Sequence, residues 1–122
     1  MFTKLKTQQD LDVYMETIQT QNFACIYKHS ATCGMSATAL KQVKTAHNTL
    51  TMWGDEDLMI GLVVVQDARS VSNAIAEQLE VKHESPQFLI FKDGKLVDVL
   101  NHLAVSARHI QHVIGGGYNK HN

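Results

Sequence analysis

The hydrophobic positions of this chain form two kinds of pattern, continuous apolar runs and apolar positions at helical spacing. Runs of roughly four to eight apolar residues are typical of strands covered on both faces. Apolar residues at every third or fourth position are typical of helices with one buried face. The runs predict strands at residues 23–28, 58–65, 87–91 and 96–100, with residues 2–5 as a candidate short edge strand. The helical spacing predicts helices at about residues 7–18, 33–51, 70–79 and 106–114.

Residues with capping and turn chemistry mark the ends of these elements. Hydroxyl side chains stand at the predicted helix starts, where they can accept hydrogen bonds from the free N–H groups of the first turn. They are Thr7, Ser70 or Ser72, and Ser106. Asp93 and Gly94 tolerate the positive φ of a tight turn, so they predict a hairpin between the last two strands. Glycines 115–117 are expected to end the last helix.

The order of these elements is helix, strand, helix, strand, helix, hairpin, helix, which indicates an α/β fold. The first two core strands are joined by a helix, so they should be parallel with a right-handed crossover. We therefore expect a mixed central sheet of about four strands, a parallel pair plus an antiparallel hairpin, flanked by helices and with an extra N-terminal helix. A single domain over residues 1–122 accommodates this arrangement, with residues 118–122 as a frayed tail.

Composition and charge exclude several classes of function. Of the 122 residues 44% are hydrophobic and 19% are charged, which is typical of a globular domain and not of a disordered or membrane-spanning chain. The formal net charge of −1 gives no electrostatic basis for binding nucleic acid or an anionic membrane. The first residues lack the apolar segment of a secretion signal, so a cytoplasmic protein is expected.

The two cysteines occupy different kinds of position. Cys33 lies at the junction between the first core strand and the next helix, whereas Cys25 lies in the middle of that strand. Free N–H groups and the positive end of the dipole at a helix N-terminus stabilise an anion, so the pKa of Cys33 should be lowered. Cys25 is expected to be a buried, inert thiol. In a reducing cytosol neither cysteine is expected to form a structural disulfide.

Ser36 stands three residues after Cys33, where a dithiol Cys-x-x-Cys site would carry its second cysteine. Positions three apart share one face of a helix. A serine cannot resolve a mixed disulfide, so a Cys-x-x-Ser site stalls on a protein disulfide until an outside thiol arrives. The sequence therefore favours exchange of a small thiol between a protein and Cys33. Ser36 either caps or back-bonds within the first turn, or it takes a direct part in the chemistry.

Four motifs follow one another along nearly the whole chain. They are Lys28-His29-Ser30-x-Thr32-Cys33-x-x-Ser36, Val65-Gln66-Asp67-Ala68-Arg69, Lys82-His83-Glu84-Ser85-Pro86-Gln87 and Lys92-Asp93-Gly94-Lys95. Together they resemble the YtxJ-type monothiol bacilliredoxins, a small thioredoxin-fold family of bacillithiol-producing Firmicutes. The resemblance implies a thioredoxin-like fold and a cytoplasmic oxidoreductase of oxidative stress that removes bacillithiol from protein mixed disulfides. It implies bacillithiolated cytosolic proteins as partners, bacillithiol as co-substrate, regeneration by bacillithiol or a thiol reductase, and no tightly bound cofactor.

The same resemblance assigns roles to individual residues. The family nucleophile maps onto Cys33, and the cis-proline of the thioredoxin fold maps onto Pro86. Ser85 would present backbone groups to the substrate beside the thiol. Family members often carry proline after the cysteine, and Gly34 in its place is expected to loosen the first turn and moderate the thiol. The supporting site predicted in this way comprises Thr32, Gly34, Ser36, Ser85 and Pro86.

Three basic side chains carry competing interpretations. Lys28 and His29 end the strand before Cys33, where they either favour the thiolate and contact substrate or are simply solvated at the strand end. His47 lies on the apolar stripe of the second helix and is expected to pack in the core. The histidines show no metal-ligand spacing, so no metal site is expected.

Two other functions remain compatible with the sequence. Residues 33–36, Cys-Gly-Met-Ser, differ at one position from the Cys-Gly-Phe-Ser of monothiol glutaredoxins, which hold an iron–sulfur cluster between two subunits. Those proteins bind glutathione through a Gly-Gly-x-Asp type motif after the hairpin, and residues 98–102 of this chain lack it. The third interpretation is a non-catalytic stress or adaptor protein whose cysteine is merely modified.

Overall fold

Five strands and four helices follow one another along the chain in the computed structural model of the protein, which describes residues 2–54 and 58–119. The strands are β1 (Phe2–Lys4), β2 (Phe23–His29), β3 (Met59–Val64), β4 (Gln87–Lys92) and β5 (Lys95–Asn101). The helices are α1 (Gln8–Ile18), α2 (Gly34–Met52), α3 (Arg69–Leu79) and α4 (Ala107–Asn119), with a 3₁₀ turn at His102–Ala104.

The sheet has the strand order β1-β3-β2-β4-β5, one strand more than the four predicted. Strands β2 and β3 are parallel, and β4 and β5 form the antiparallel hairpin. The additional strand is the candidate edge segment β1, which pairs parallel to β3 with Phe2 opposite Ile60. Three residues are too few to show a hydrophobic pattern, so pairing with β3 decides the conformation of this segment.

Helices cover both faces of the sheet, and the central strand β2 contributes side chains to both cores in alternation. Cys25 and Tyr27 belong to the core closed by α2 and α4, whereas Ala24 and Ile26 belong to the core closed by α1 and α3. All four are at most 1% exposed, as expected for a strand covered on both faces. Over residues 2–54 and 58–119, no helix combines the length and apolar character that a bilayer span requires.

Two of the predicted helix caps are confirmed. Thr7 and Asp10 form a reciprocal capping box at α1, in which the Thr7 hydroxyl accepts a hydrogen bond from the Asp10 N–H at 3.1 Å. At the start of α4, Ser106 Oγ accepts from the His109 N–H at 3.2 Å. Both caps depend only on residues close together in sequence, which is why the sequence predicts them.

The predicted cap of α3 is wrong. The helix begins after Ala68, which has no capping side chain, so both Ser70 and Ser72 lie within it. Ser72 is 1% exposed, and its Oγ lies 3.2 Å from His83 Nδ1. The Ser72 hydroxyl therefore contacts His83, in a segment after the helix, instead of capping the helix.

The hairpin turn follows the prediction. Asp93 and Gly94 have φ values of 51° and 82°. Positive φ at both central residues is the geometry of a type I′ turn, whose twist matches that of the two strands it joins. The turn sets the register in which β5 returns beside β4.

The last helix is longer than predicted. Helix α4 continues through its glycines to Asn119, so these residues do not end it. Gly115 instead allows close packing, because a Cβ at this position would lie 2.8 Å from the ring of Trp53. Of the predicted tail, residues 118–119 are helical, and residues 120–122 lie outside the described residues.

Candidate active site

Cys33 caps the N-terminus of α2, where the chain leaves the sheet after β2. Its backbone is extended, with φ −106° and ψ 122°, and its carbonyl accepts a hydrogen bond from the Ala37 N–H at 3.2 Å. The Cys33 N–H donates to the Ser30 carbonyl at 3.3 Å, which closes the preceding loop. The side chain is half-buried, so the thiol stands at the start of the helix within reach of solvent.

The first turn of α2 lowers the pKa of the Cys33 thiol. The largest contribution comes from the backbone N–H of Ser36; partial burial opposes it, and the Met35 N–H and the Ser36 hydroxyl add to it. These N–H groups are free donors of a helix N-terminus, and an anion accepts their hydrogen bonds more strongly than a neutral thiol. The thiol itself makes no capping hydrogen bond, so the stabilisation belongs to the thiolate. The direction of the shift agrees with the prediction.

Ser36 is held inside the site and is not placed to attack a disulfide. It is 0% exposed. Its Oγ accepts a hydrogen bond from the Ser30 N–H at 3.2 Å, and its carbonyl accepts from the Tyr27 hydroxyl at 2.9 Å. These bonds tie the first turn of α2 to the preceding loop and to β2. Ser36 therefore fixes the turn that carries Cys33, in line with the capping interpretation.

The side chains of Tyr27 and His29, both on β2, lie behind the first turn of α2. Tyr27 was not identified as a site residue from the sequence. Burial raises the pKa of the Tyr27 phenol, and the charge of Cys33 adds to that effect, so the phenol stays protonated. Its single hydrogen goes to Ser36, so His29 Nδ1, 3.2 Å from the phenol oxygen, is the donor of that contact. Burial and then the Lys44 charge lower the pKa of His29, which is therefore neutral at pH 7.

Gln66, just after β3, holds the loop before Cys33. Its Nε2 donates to Ser30 Oγ at 2.8 Å and lies 3.4 Å from Thr32 Oγ1, while its Oε1 accepts from the Ala31 N–H at 3.0 Å. One amide thus contacts three consecutive loop residues. No periodicity marks Gln66 in the sequence, and only its place in the second of the four motifs pointed to it.

The Ser85–Pro86 peptide is cis, as the resemblance implied. Strand register places it near the loop of Cys33. Lys28, near the end of β2, is directly opposite Gln87, the first residue of β4. The segments that carry Cys33 and Pro86 therefore adjoin neighbouring strands at the same end of the sheet.

His102 holds the segment before Pro86 from the side of β5. Its N–H donates to the Pro86 carbonyl at 2.9 Å, and its Nε2 lies 2.9 Å from Glu84 Oε1. The hydrogen bond from His102 is the main reason that the pKa of Glu84 is lowered, so the carboxylate is ionised at pH 7. The two contacts bracket Ser85, whose backbone the resemblance assigns to substrate.

Comparison with known proteins places the chain in a family. The family model of the monothiol bacilliredoxin BrxC matches residues 3–110. The chain belongs to this family. A solved structure described as a candidate oxidoreductase with a thioredoxin fold shares 28% identity over 91% of each chain, with a TM-score of 0.76. The family indicates thiol–disulfide redox chemistry.

Thioredoxins share the fold at lower identity. Thioredoxin O2 from Arabidopsis thaliana is 19% identical over 96% of this chain and 94% of its own, with a TM-score of 0.71. The thioredoxin of Fasciola hepatica is 18% identical over 98% of this chain and 99% of its own, with a TM-score of 0.64. The predicted thioredoxin-like fold is confirmed.

In this bacilliredoxin family member, Lys28 does not lie at an open strand end. Its side chain is 0% exposed and points to the α3 side of the sheet, opposite the core of α2. Its Nζ donates to the Ser72 carbonyl at 2.9 Å and lies 3.3 Å from His83 Nδ1. Neither direct substrate contact nor solvation at a strand end fits this burial. The alternation of β2 explains it, because Lys28 shares a face with Ile26.

The glycine after the nucleophile has room for a side chain. A Cβ on Gly34 would meet no heavy atom within 4 Å, and the backbone φ is not positive. The extended backbone of Cys33 is the conformation that a residue before proline prefers. Packing therefore does not require glycine at this position, where the resemblance led us to expect proline.

The remaining predicted residues behave as core. Cys25 is 0% exposed, its carbonyl accepts from the Tyr14 hydroxyl at 2.6 Å, and burial raises the pKa of its thiol. His47 is half-buried and packs against Phe2, with 5.3 Å between ring centroids. Among the residues that the structure describes, no group of three or more His, Cys, Asp and Glu side chains is arranged to hold a metal ion.

Proposed function

We propose that this protein removes bacillithiol from protein mixed disulfides, with the Cys33 thiolate as nucleophile. The observation that carries the proposal is a single thiol with a lowered pKa at a helix N-terminus, with the buried Ser36 in place of a second cysteine. Such a site attacks one disulfide and then needs an external thiol. A mixed disulfide between a protein and a small thiol suits that limitation. Membership of the bacilliredoxin family supports bacillithiol as the small thiol.

The reaction balances as two thiol–disulfide exchanges. In the first, the Cys33 thiolate attacks the bacillithiol sulfur, the bond between the two sulfurs breaks, and the substrate protein leaves as a thiolate. In the second, the thiolate of free bacillithiol or of a reductase attacks the same bacillithiol sulfur and restores the Cys33 thiolate. The substrate protein is reduced, and the regenerating thiol is oxidised.

The lowered pKa of Cys33 acts differently on the two exchanges. In the first it raises the thiolate fraction at pH 7, while the intrinsic nucleophilicity of that thiolate falls. In the second Cys33 is the leaving group, and a stabilised thiolate leaves faster. The helix N-terminus therefore favours release of bacillithiol from Cys33 more than its capture.

The rest of the site supports docking of a protein partner. We assign the backbone of Ser85, beside Pro86, to the main chain of the substrate, because this segment adjoins the loop of Cys33. Thr32 and Gly34 flank the thiol and are exposed, so they lie where a partner arrives. We propose the cytoplasm as the compartment, because a site that depends on a free thiol needs reducing surroundings.

Intact-mass analysis tests the proposal. The reduced form of this protein is incubated with a substrate protein that carries one bacillithiol, and the intact masses of both proteins are measured over time. We expect one bacillithiol to move onto Cys33, located by peptide mapping, and to leave when free bacillithiol is added. Absence of transfer would refute the function. Accumulation of a disulfide between the two proteins would mean that Cys33 attacks the wrong sulfur, and it would refute the function as well.

A further inference from the structure

A lysine–serine–histidine cluster lies on the face of the sheet opposite the core of α2. Lys28 is 0% exposed and Ser72 is 1% exposed. Lys28 Nζ donates to the Ser72 carbonyl at 2.9 Å and lies 3.3 Å from His83 Nδ1, which is itself 3.2 Å from Ser72 Oγ. Buried lysines are rare unless they are paired. Within the described residues, no carboxylate is within ion-pair distance of this one.

The cluster has one consistent protonation state. An ammonium group only donates hydrogen bonds, so His83 Nδ1 carries no proton. Burial lowers the pKa of Lys28 to about 8, which leaves the ammonium as the main form at pH 7. Burial and then the Lys28 charge lower the pKa of His83, Arg69 adds to this, and Glu84 opposes it. A charged donor therefore joins the neutral ring of His83 to β2 and α3.

This contact links the two segments that form the thiol site. Lys28 belongs to the strand that leads to Cys33, and His83 belongs to the segment that leads to Ser85–Pro86. Next to His83, the Lys82 carbonyl accepts from Gln87 Nε2 at 3.0 Å, so two consecutive residues of the segment are held against the sheet. The hydrogen bonds of Lys28 and His83 do not include the thiol, and neither residue contributes to the lowered pKa of Cys33. We therefore expect their effect on the chemistry to pass through the position of the backbone.

We propose that Lys28 is a positioning residue that sets the Ser85–Pro86 segment against Cys33 for the docking of protein substrates. The proposal rests on the proposed function, because it takes the main chain of the substrate to lie along Ser85. A small disulfide needs only the Cys33 thiolate, whereas a protein disulfide needs both the thiolate and a correctly placed segment. Loss of the ammonium therefore impairs attack on protein disulfides selectively.

The test compares two reactions that share a leaving group. Reduced protein is mixed either with dithiobis(nitrobenzoate) or with a small protein whose single surface cysteine carries nitrothiobenzoate. In the first, the Cys33 thiolate attacks one sulfur of the reagent; in the second, it attacks the cysteine sulfur of the protein. Each attack forms one disulfide at Cys33 and expels one coloured nitrothiobenzoate thiolate. Rates are measured at rising substrate concentration.

Lys28→Met keeps the length of the side chain and removes the charge. We expect the half-saturating concentration of the protein substrate to rise about tenfold, because small misplacements of a docking group are costly. The limiting rate and the rate with the small disulfide should stay within about twofold of wild type, since the thiolate and its helix are untouched. The unfolding temperature should change little, because the cost of burying a charge is removed together with the hydrogen bonds that the ammonium donates.

Three further variants make the result specific. Lys82→Met makes the same change at a neighbouring side chain that is 89% exposed, and it should behave as wild type. His83→Leu should reproduce the effect of Lys28→Met, whereas His83→Gln, whose amide oxygen can still accept from the ammonium, should retain tight docking. If Lys28→Met does not fold, the two His83 variants decide.

Equal losses with both substrates, no loss with either, or the same loss in Lys82→Met would overturn the proposal. A loss in His83→Gln as large as in His83→Leu would overturn it too. Neither reaction contains bacillithiol, so failure of the wild type to accept bacillithiol would overturn the proposed function alone.

Discussion

The two cysteines of this chain lie on one strand and its continuation, yet their surroundings give them opposite chemistry. Cys25 is in the middle of β2, where burial raises the pKa of its thiol. Cys33 caps α2, where N–H groups of the first turn lower the pKa of its thiol. The difference shows that burial and the local supply of free hydrogen-bond donors, and not the residue type, set the pKa of each thiol.

Backbone pairing explains the difference. Cys25 sits between Ile60 on β3 and Ile90 on β4, so its neighbouring N–H groups lie in a sheet that pairs them with carbonyls. The first turn of α2 has no such partners, because the first N–H groups of any helix point away from its own carbonyls. A sulfur at this position meets donors, whereas the sulfur of Cys25 is buried in the hydrophobic core.

The largest expected effect comes from substituting each of the two cysteines separately. Cys33→Ser should abolish bacillithiol transfer to the level of buffer, because no other described thiol is exposed. Cys25→Ala should transfer at the wild-type rate and lose about 1 kcal/mol of unfolding free energy for the buried sulfur. Single-turnover mass spectrometry and chemical unfolding measure the two effects. Transfer by Cys33→Ser, or its loss in Cys25→Ala, would reverse the assignment.

Alkylation of the native protein sharpens the comparison next. Iodoacetamide should modify Cys33 at least about a thousandfold faster than Cys25, because Cys25 reacts only when its strand opens. Peptide mapping after timed quenching gives the two rates. In denaturant the two rates should become similar, which serves as the internal control. Fast modification of Cys25 under native conditions would show that its burial does not protect it.

A smaller effect is expected at the serine that supports the thiol. Ser36→Ala removes the acceptor of the Ser30 N–H, which costs roughly 1–3 kcal/mol for a buried donor left unpaired. It also removes a hydroxyl that stabilises the thiolate, so the pKa of Cys33 should rise. Unfolding and pH-dependent alkylation measure the two effects. Thr38→Ala, at an exposed position of the same helix, is the matched control: it should leave the pKa of Cys33 unchanged and should not lower the free energy of unfolding.

The smallest predicted effect lies beside the nucleophile. Gly34→Pro should raise the free energy of unfolding by about 0.4–1 kcal/mol, because the backbone and the space at this position accept proline. The pKa of Cys33 should change little, since its main donors are the N–H groups of Ser36 and Met35. Thermal unfolding measures the gain, with Gly34→Ala as the control for an added Cβ. Destabilisation by proline would mean that the first turn needs the freedom of glycine.

The features of the fold that depend only on residues close together in sequence could be predicted from the sequence. The capping box at Thr7 and the turn at Asp93–Gly94 each need only a few adjacent residues. Strand β1 pairs with the edge of β3, and Gly115 in the extension of α4 packs closely against the ring of Trp53, so both features involve partners far along the chain. No local pattern carries that information, so both were predicted incompletely.

The features of the candidate site likewise fall into those that the sequence predicts and those that depend on contacts between distant elements. The junction position of Cys33 could be derived from the strand and helix patterns, and the resemblance supplied Pro86. The contacts of Gln66 and Tyr27 with this site depend on how three elements meet at one end of the sheet. The contacts of Lys28 with Ser72 and His83 follow from which face of β2 it occupies, and on the other face the same side chain would lie in the core of α2.

Titration of the thiolate tests the central claim most directly. Thiolate absorbance is followed against pH in Cys25→Ala, with the Cys25→Ala/Cys33→Ser variant subtracted. We expect one transition with its midpoint below the ordinary value of 9.0, because α2 lowers the pKa of Cys33. The thiolate should therefore persist as the pH falls from 9.0 and be lost only through the lowered pKa. A midpoint at or above 9.0 would contradict the account.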